Sequence, residues 1–272
     1  MVGLKKRKCI NWLALSALLL FFYLPIIILI VFSFNDSRSL TTWSGFSIRW
    51  YEKLFNDSDM LDAIFNTVMI AVVATAVSTF LGTITAIGLS KSKKILREIV
   101  LTINDFPIMN PEIVTAIGMM LFFTTLSIPK GAITMLIAHI AFCTPYVILS
   151  VLPKLRSLDP NIAEAAMDLG ATPWQSLIKV IVPQITGSIV AGALIAFTMS
   201  FDDFVISYFV TGNGFKNISI MVYSMSKRIN PTINALSTII IVTITFVLIL
   251  INVIPLLKKK RGKKYEENSI AM

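Results

Sequence analysis

Charge is scarce in this chain of 272 residues: Asp, Glu, Lys and Arg together supply 14% of it, against a hydrophobic share of 56%. A soluble domain of that composition would leave a very large apolar surface in water, so the scarcity points to a membrane-embedded chain. Cysteine is nearly absent as well. Cys9 and Cys143 fall near the end of one apolar run and inside another, which argues against a disulfide framework. The single histidine, His139, lies in an apolar run and reads as a packed, hydrogen-bonded residue, and no metal site is expected. No G-x-x-x-x-G-K-[ST] run is present to cradle a nucleotide. Nor can a nucleophile, base and stabilising group be assembled, so the chain is expected to be no enzyme, with no catalytic residue and no cofactor of its own.

What is there is a series of long apolar runs. About 20 apolar residues cross a hydrocarbon core, and six candidate spans are found at about 12–33, 64–90, 103–126, 131–152, 184–210 and 233–257. The expected organisation is an N-terminus at 1–11, a membrane domain at 12–257 interrupted by a polar loop at 153–183, and a basic tail at 258–272. The first run follows KKRK, but it is too long for a signal-peptide core and no small-residue cleavage site follows, so it reads as a retained span.

Lys and Arg set the expected orientation, because positive residues are retained on the cytoplasmic side. With both termini inside, Lys5, Lys6, Arg7, Lys8, Lys91, Lys93, Lys94, Arg97, Lys154, Arg156, Lys179 and the six basic residues of the tail are cytoplasmic, seventeen of the 24. The net charge of +9 then follows from topology and attraction to anionic lipid heads, and nucleic-acid binding is excluded.

The most informative stretch is EAAMDLGATPWQSLIKVIVP, Glu164 to Pro183, which this topology puts in the cytoplasm. It reads as two helices. Asp159 caps a first helix that opens on Pro160, and Gly170 supplies its left-handed stop. Thr172 and Pro173 start a second helix that Pro183 ends. Trp174, Leu177, Ile178 and Ile181 fall at i, i+3, i+4 and i+7, one apolar face in need of a partner.

The spacing Glu164-Ala165-Ala166, Gly170 and Val180-Ile181-Val182-Pro183 resembles the EAA loop of permease subunits in bacterial ABC importers. The resemblance implies an all-α membrane protein, a six-span type I ABC importer permease whose cytoplasmic coupling-helix loop docks on a separate ATPase. It also implies an ATPase-coupling role for Glu164, Ala165, Ala166, Gly170 and Trp174, with ATP and magnesium bound by that ATPase.

Ionisable residues at membrane depth are costly unless paired or facing water, which makes three carboxylates candidates for a substrate pathway. Asp202 and Asp203 lie in SFDDFVISYFVTG, where neighbours on a helix point about 100° apart. Asp203 continues a stripe of small and polar residues, Gly192, Ala196, Ser200 and Ser207, that suits a bundle interior. No Lys or Arg occurs in this run to neutralise either. Glu112 follows Pro107 and Pro111, both expected to break the third run, with Asn110 as the cap of a new helix. Two roles are open to it, complementing the helix's positive end or lining a cavity. Asp105 is read as a structural cap. Unpaired carboxylates with aromatics such as Phe201, Phe204 and Tyr208 suit an organic cation.

The set FPIMNPEIV, SFDDFVISYFVTG and INPTINALSTII, with the EAA loop, resembles the PotC-type permeases of spermidine/putrescine importers over about residues 60–250. That resemblance implies a second permease subunit, two copies of the ATPase, an extracytoplasmic polyamine-binding protein and a bacterial cytoplasmic membrane. The net-acidic segment 34–62 is then either a docking surface for the binding protein or a solvated loop. A permease for another small solute (ferric iron, thiamine or a phosphonate) is the alternative within the class, and an ATP-independent secondary transporter or channel the alternative outside it.

Overall fold

The computed structural model describes residues 2–39, 41–212, 214–226, 230–246 and 249. These are helical almost throughout, and Asn35 with Phe46 makes the one isolated β-bridge among them. The chain divides into two units, residues 1–58 with 225–272, and residues 59–224.

In the first unit, α1 (Val2–Ser33) carries the first expected span in its apolar stretch Trp12–Ser33, 22 residues and so about 33 Å long. After it the chain folds around Asn35. The Asn35 side-chain oxygen accepts from the Ser44 N–H at 2.9 Å, and its amide donates to the Thr42 carbonyl at 2.9 Å. The Trp50 indole, at the start of α2 (Arg49–Phe55), donates to the Asn35 carbonyl at 2.7 Å. The acidic segment is therefore ordered here, and Trp43 and Phe46 stand exposed on it. An apolar helix, α12, spans Thr232–Phe246 and opens the sixth expected span. The rest of that span and the tail at 258–272 lie outside the described residues.

The second unit holds α3 (Ser58–Lys91), α4 (Lys94–Met109), α5 (Glu112–Thr125), α6 (Ala132–Ser157), α7 (Ile162–Asp168), α8 (Pro173–Ser176), α9 (Val182–Phe201), α10 (Val205–Val210) and most of α11 (Ile218–Ser226). Its core runs along α6, more than half buried, where Cys143, Val147 and Val151 are fully enclosed. Small residues let α9 approach. The Ser150 hydroxyl donates to the Ser188 carbonyl at 2.9 Å, the Cys143 thiol to the Ala196 carbonyl at 3.4 Å, and Gly192 faces Val147. In lipid, where apolar burial drives nothing, such close backbone packing holds helices together.

Several expectations about helix ends need correction. The third run is broken, as its prolines led one to expect: α4 and α5 meet at 106°. The break lies at Asn110-Pro111 rather than at Pro107, which sits inside α4, because proline pushes the residue before it out of the helical region and Asn110 is extended at φ −82, ψ 148. Asn110 caps nothing on α5. Its amide donates back to the Phe106 carbonyl at 2.8 Å, closing α4, and Asp105 is interior to α4 rather than a cap.

The fifth run is also interrupted, after Phe201, although neither Pro nor Gly marks the place. Conversely, Pro183 does not end the helix before it. Its ring would clash with the carbonyl four residues back in a regular helix. A π-helical turn at Leu177–Ile181, with the Val182 N–H bonded to the Leu177 carbonyl, widens the coil there and the backbone continues into α9. The polar loop's first helix begins at Ile162 rather than Pro160, with Asp159 held in a turn by the Asn161 N–H.

Candidate functional site

Both helix breaks come together. α5 packs on α10, which brings Glu112, the first residue of α5, beside Asp202 and Asp203 in the α9/α10 break. Glu112 and Asp202 are exposed, whereas Asp203 is buried. Among the described residues no Lys or Arg pairs with any of the three.

Asp203 has a different task from the pathway role expected of it. Its carboxylate accepts from the N–H groups of Ile206 at 3.1 Å and Ser207 at 2.8 Å and from the Ser207 hydroxyl at 2.6 Å, which caps α10. It is not unpaired. His139 Nε2 lies 3.3 Å from Asp203 Oδ2, and the Asn217 amide donates to the Asp203 carbonyl at 3.3 Å and to the Ser207 hydroxyl at 2.9 Å. With its oxygens so engaged, Asp203 has little capacity left for a cargo. Gly192, Ala196, Ser200, Asp203 and Ser207 are all buried, as their spacing requires, and Asp202 is left pointing outward.

Phe201 stacks on Phe197, with ring centroids 5.6 Å apart. Tyr208 instead joins Phe204 and Tyr223 in a three-ring cluster with centroids 4.8–5.7 Å apart, beside the Asp202 break. Tyr223, His139 and Asn217 are members of this region that sequence reasoning did not place there. Only their own elements would have pointed to them, because their partners lie far away in the chain.

At the other end of α9 the α7–α8 hairpin is internally fixed. Gly170 has φ +89, the Gly170 N–H bonds the Met167 carbonyl at 2.9 Å, and the Ala171 N–H bonds the Ala166 carbonyl at 3.1 Å, the paired bonds of a glycine-terminated helix. Thr172 and Gln175 cap α8 reciprocally, and the Ser176 hydroxyl ties it to the Ala163 carbonyl at 3.2 Å. Glu164 and Ala165 are exposed and Ala166 is half-buried. The four apolar residues expected on one face separate, since the π-turn shifts their phase: Ile181 is buried, while Trp174 is 70% exposed beside Leu169 at 90%. The hairpin thus carries uncovered apolar side chains on a rigid frame.

Residues 78–260, which include both breaks and the hairpin, match the family described as binding-protein-dependent transport system inner membrane component. The chain belongs to this family. It is a non-enzymatic inner-membrane permease, helical, with several apolar spans. This permease is 38% identical over 229 residues to the spermidine/putrescine transport system permease protein PotC of Escherichia coli (strain K12), covering 84% of this chain and 87% of that one. It is 37% identical to the putrescine transport system permease protein PotI of the same organism, covering 81% and 82%. The crystal structure of a bacterial ABC transporter involved in the import of the acidic polysaccharide alginate shares the permease fold, with a TM-score of 0.71 at 18% identity over 92% of this chain and 96% of that one.

Proposed function

We propose that this permease is one of two membrane subunits of an ATP-driven importer that carries polyamines, spermidine or putrescine, into a bacterial cell. The observation that carries the reading is the meeting of two helix breaks that leaves Glu112 and Asp202 exposed, paired with no Lys or Arg among the described residues, beside the rings of Phe204, Tyr208 and Tyr223. Carboxylates neutralise ammonium groups and aromatic faces attract them. The names of the two relatives agree with that chemistry.

In this reading both termini are cytoplasmic, and the α7–α8 hairpin seats Glu164, Ala165, Ala166, Leu169 and Trp174 against one of two ATPase copies, which bind the ATP and magnesium. The segment around Asn35, with Trp43 and Phe46, faces outward to receive an extracytoplasmic binding protein. ATP-driven closure of the ATPases moves the two hairpins together, and rigid-body rocking opens the cavity outward. The binding protein releases its cargo toward Asp202 and Glu112. Hydrolysis returns the cavity to the inward-facing state.

The test is uptake of labelled putrescine by membrane vesicles holding the complete importer, in competition with unlabelled spermidine, putrescine, thiamine, ferric iron and a phosphonate. Competition by the polyamines alone is expected. Competition only by one of the others overturns the cargo assignment, and uptake without any ATPase overturns the class.

A further inference from the structure

His139 is the single histidine of the chain and is buried to 1% exposure, and transport as proposed above gives it no part. From α6 its ring reaches both sides of the α9/α10 break. Nδ1 lies 2.7 Å from the Ser200 hydroxyl in the last turn of α9, and Nε2 lies 3.1 Å from the Ser207 hydroxyl in α10 and 3.3 Å from Asp203 Oδ2. A neutral imidazole in one tautomer is compatible with every contact. Nε2–H donates toward Ser207 and Asp203, the Ser207 hydroxyl donates to Asp203 while accepting from Nε2–H and the Asn217 amide, and Nδ1 accepts from the Ser200 hydroxyl.

The break needs such a brace. With no Pro or Gly at residues 201–205, the local stop is the Asp203 carboxylate alone. Among the described residues the Asp203 carboxylate holds the first N–H groups of α10 but makes no bond to α9, and Asn217, which donates to Asp203 and Ser207 and accepts from the Ile220 N–H, makes none to α9 either. The imidazole bonds to both helices. Thr134, also on α6, fastens the far end of α10 through the Val210 carbonyl at 2.9 Å.

We propose that His139 is a positioning residue for cargo: it pins the last turn of α9 and the first turn of α10 to α6, and so holds Asp202 outward in the break. The inference rests on Asp202 being a cation-facing group of the importer. It assigns no contact between His139 and the polyamine.

The test uses the complete importer in proteoliposomes with cargo-loaded binding protein. His139→Asn keeps an amide near the Nδ1 position and loses Ser207 and Asp203; His139→Gln does the reverse and loses Ser200. Two quantities are read: polyamine taken up per ATP hydrolysed, and the rate at which a cationic thiol reagent modifies Asp202→Cys in a chain whose native cysteines are replaced by serine. Loss of one arm is expected to slow modification about tenfold and to lower uptake per ATP to a similar degree, at an unchanged amount of complex. Unchanged modification rates in both variants overturn the proposal, as does a loss of uptake that only tracks the amount of complex. Should neither variant assemble, Ser200→Ala removes the Nδ1 partner alone and is read the same way, with an unchanged rate again decisive against the brace. Absence of polyamine uptake by the unaltered importer would instead sink the cargo assignment, and the dependence of modification on residue 139 would still be measured.

Discussion

A Cβ placed on Gly192 of α9 would lie 3.2 Å from the Cα of Val147 on α6, and the same valine's side chain stands 2.7 Å from where a Cβ on Gly82 of α3 would fall. Val147 is therefore clasped between two glycines on two helices. Gly82→Ala and Gly192→Val are each expected to cost about 1–3 kcal/mol through overpacking, read as lower thermal stability of the purified permease. Gly88→Ala, where a Cβ meets nothing within 4 Å, should leave stability unchanged or raise it slightly.

The three carboxylates should separate by phenotype. Asp202→Asn and Glu112→Gln are expected to lower polyamine uptake about tenfold or more while the complex assembles normally, since both side chains are exposed. Asp203→Asn should act on folding instead, because it turns an amide N–H toward the donors of either Ile206 or Ser207, which bond different oxygens, at a cost of about 3–5 kcal/mol for breaking a buried pair. The amount of complex in the membrane and its thermal unfolding, measured beside uptake, distinguish the two outcomes.

At Gly170 no neighbouring atom would meet a side chain, yet the backbone sits at φ +89. Gly170→Val is expected to strain that turn by about 1–2 kcal/mol and to tilt α7 against α8, so that ATP hydrolysis continues with less uptake per turnover. Gly170→Asn should be closer to the parent, because asparagine tolerates the left-handed region. Equal coupling ratios for the valine variant and the parent would refute the mechanical role of this turn.

Trp174 makes little contact within its own chain at 70% exposure. Trp174→Ala should therefore leave the thermal stability of the isolated permease unchanged while weakening ATPase association by about 2 kcal/mol or more, the loss typical of a buried aromatic anchor at an interface. Co-purification of the ATPase with the variant and with the parent measures it.

The α9 stripe could be read in the sequence because Gly192, Ala196 and Ser200 recur every fourth residue, a period that survives in the folded helix up to the break. Asn110-Pro111 was legible as a break for a local reason, the steric demand of proline on the residue before it. The α9/α10 break was not, since its causes are Asp203, which looks like an interior helical residue, and His139, 64 positions earlier in the chain. Pro183 misled in the opposite direction: proline forbids a regular turn, but a π-turn evades the ban, and nothing in LIKVIVP announces which will happen. Gly170 and Thr172 were where the sequence put them, because a left-handed stop and a capping box are settled by a few adjacent residues.

Because the π-turn carries the backbone of α8 into α9 without a loop, Pro173–Phe201 is one rod of 29 residues, about 43 Å long. One tip bears Trp174, and the other stops at Asp202. In the importer proposed above, a displacement of Trp174 is therefore expected to be carried to Asp202 along a single uninterrupted backbone.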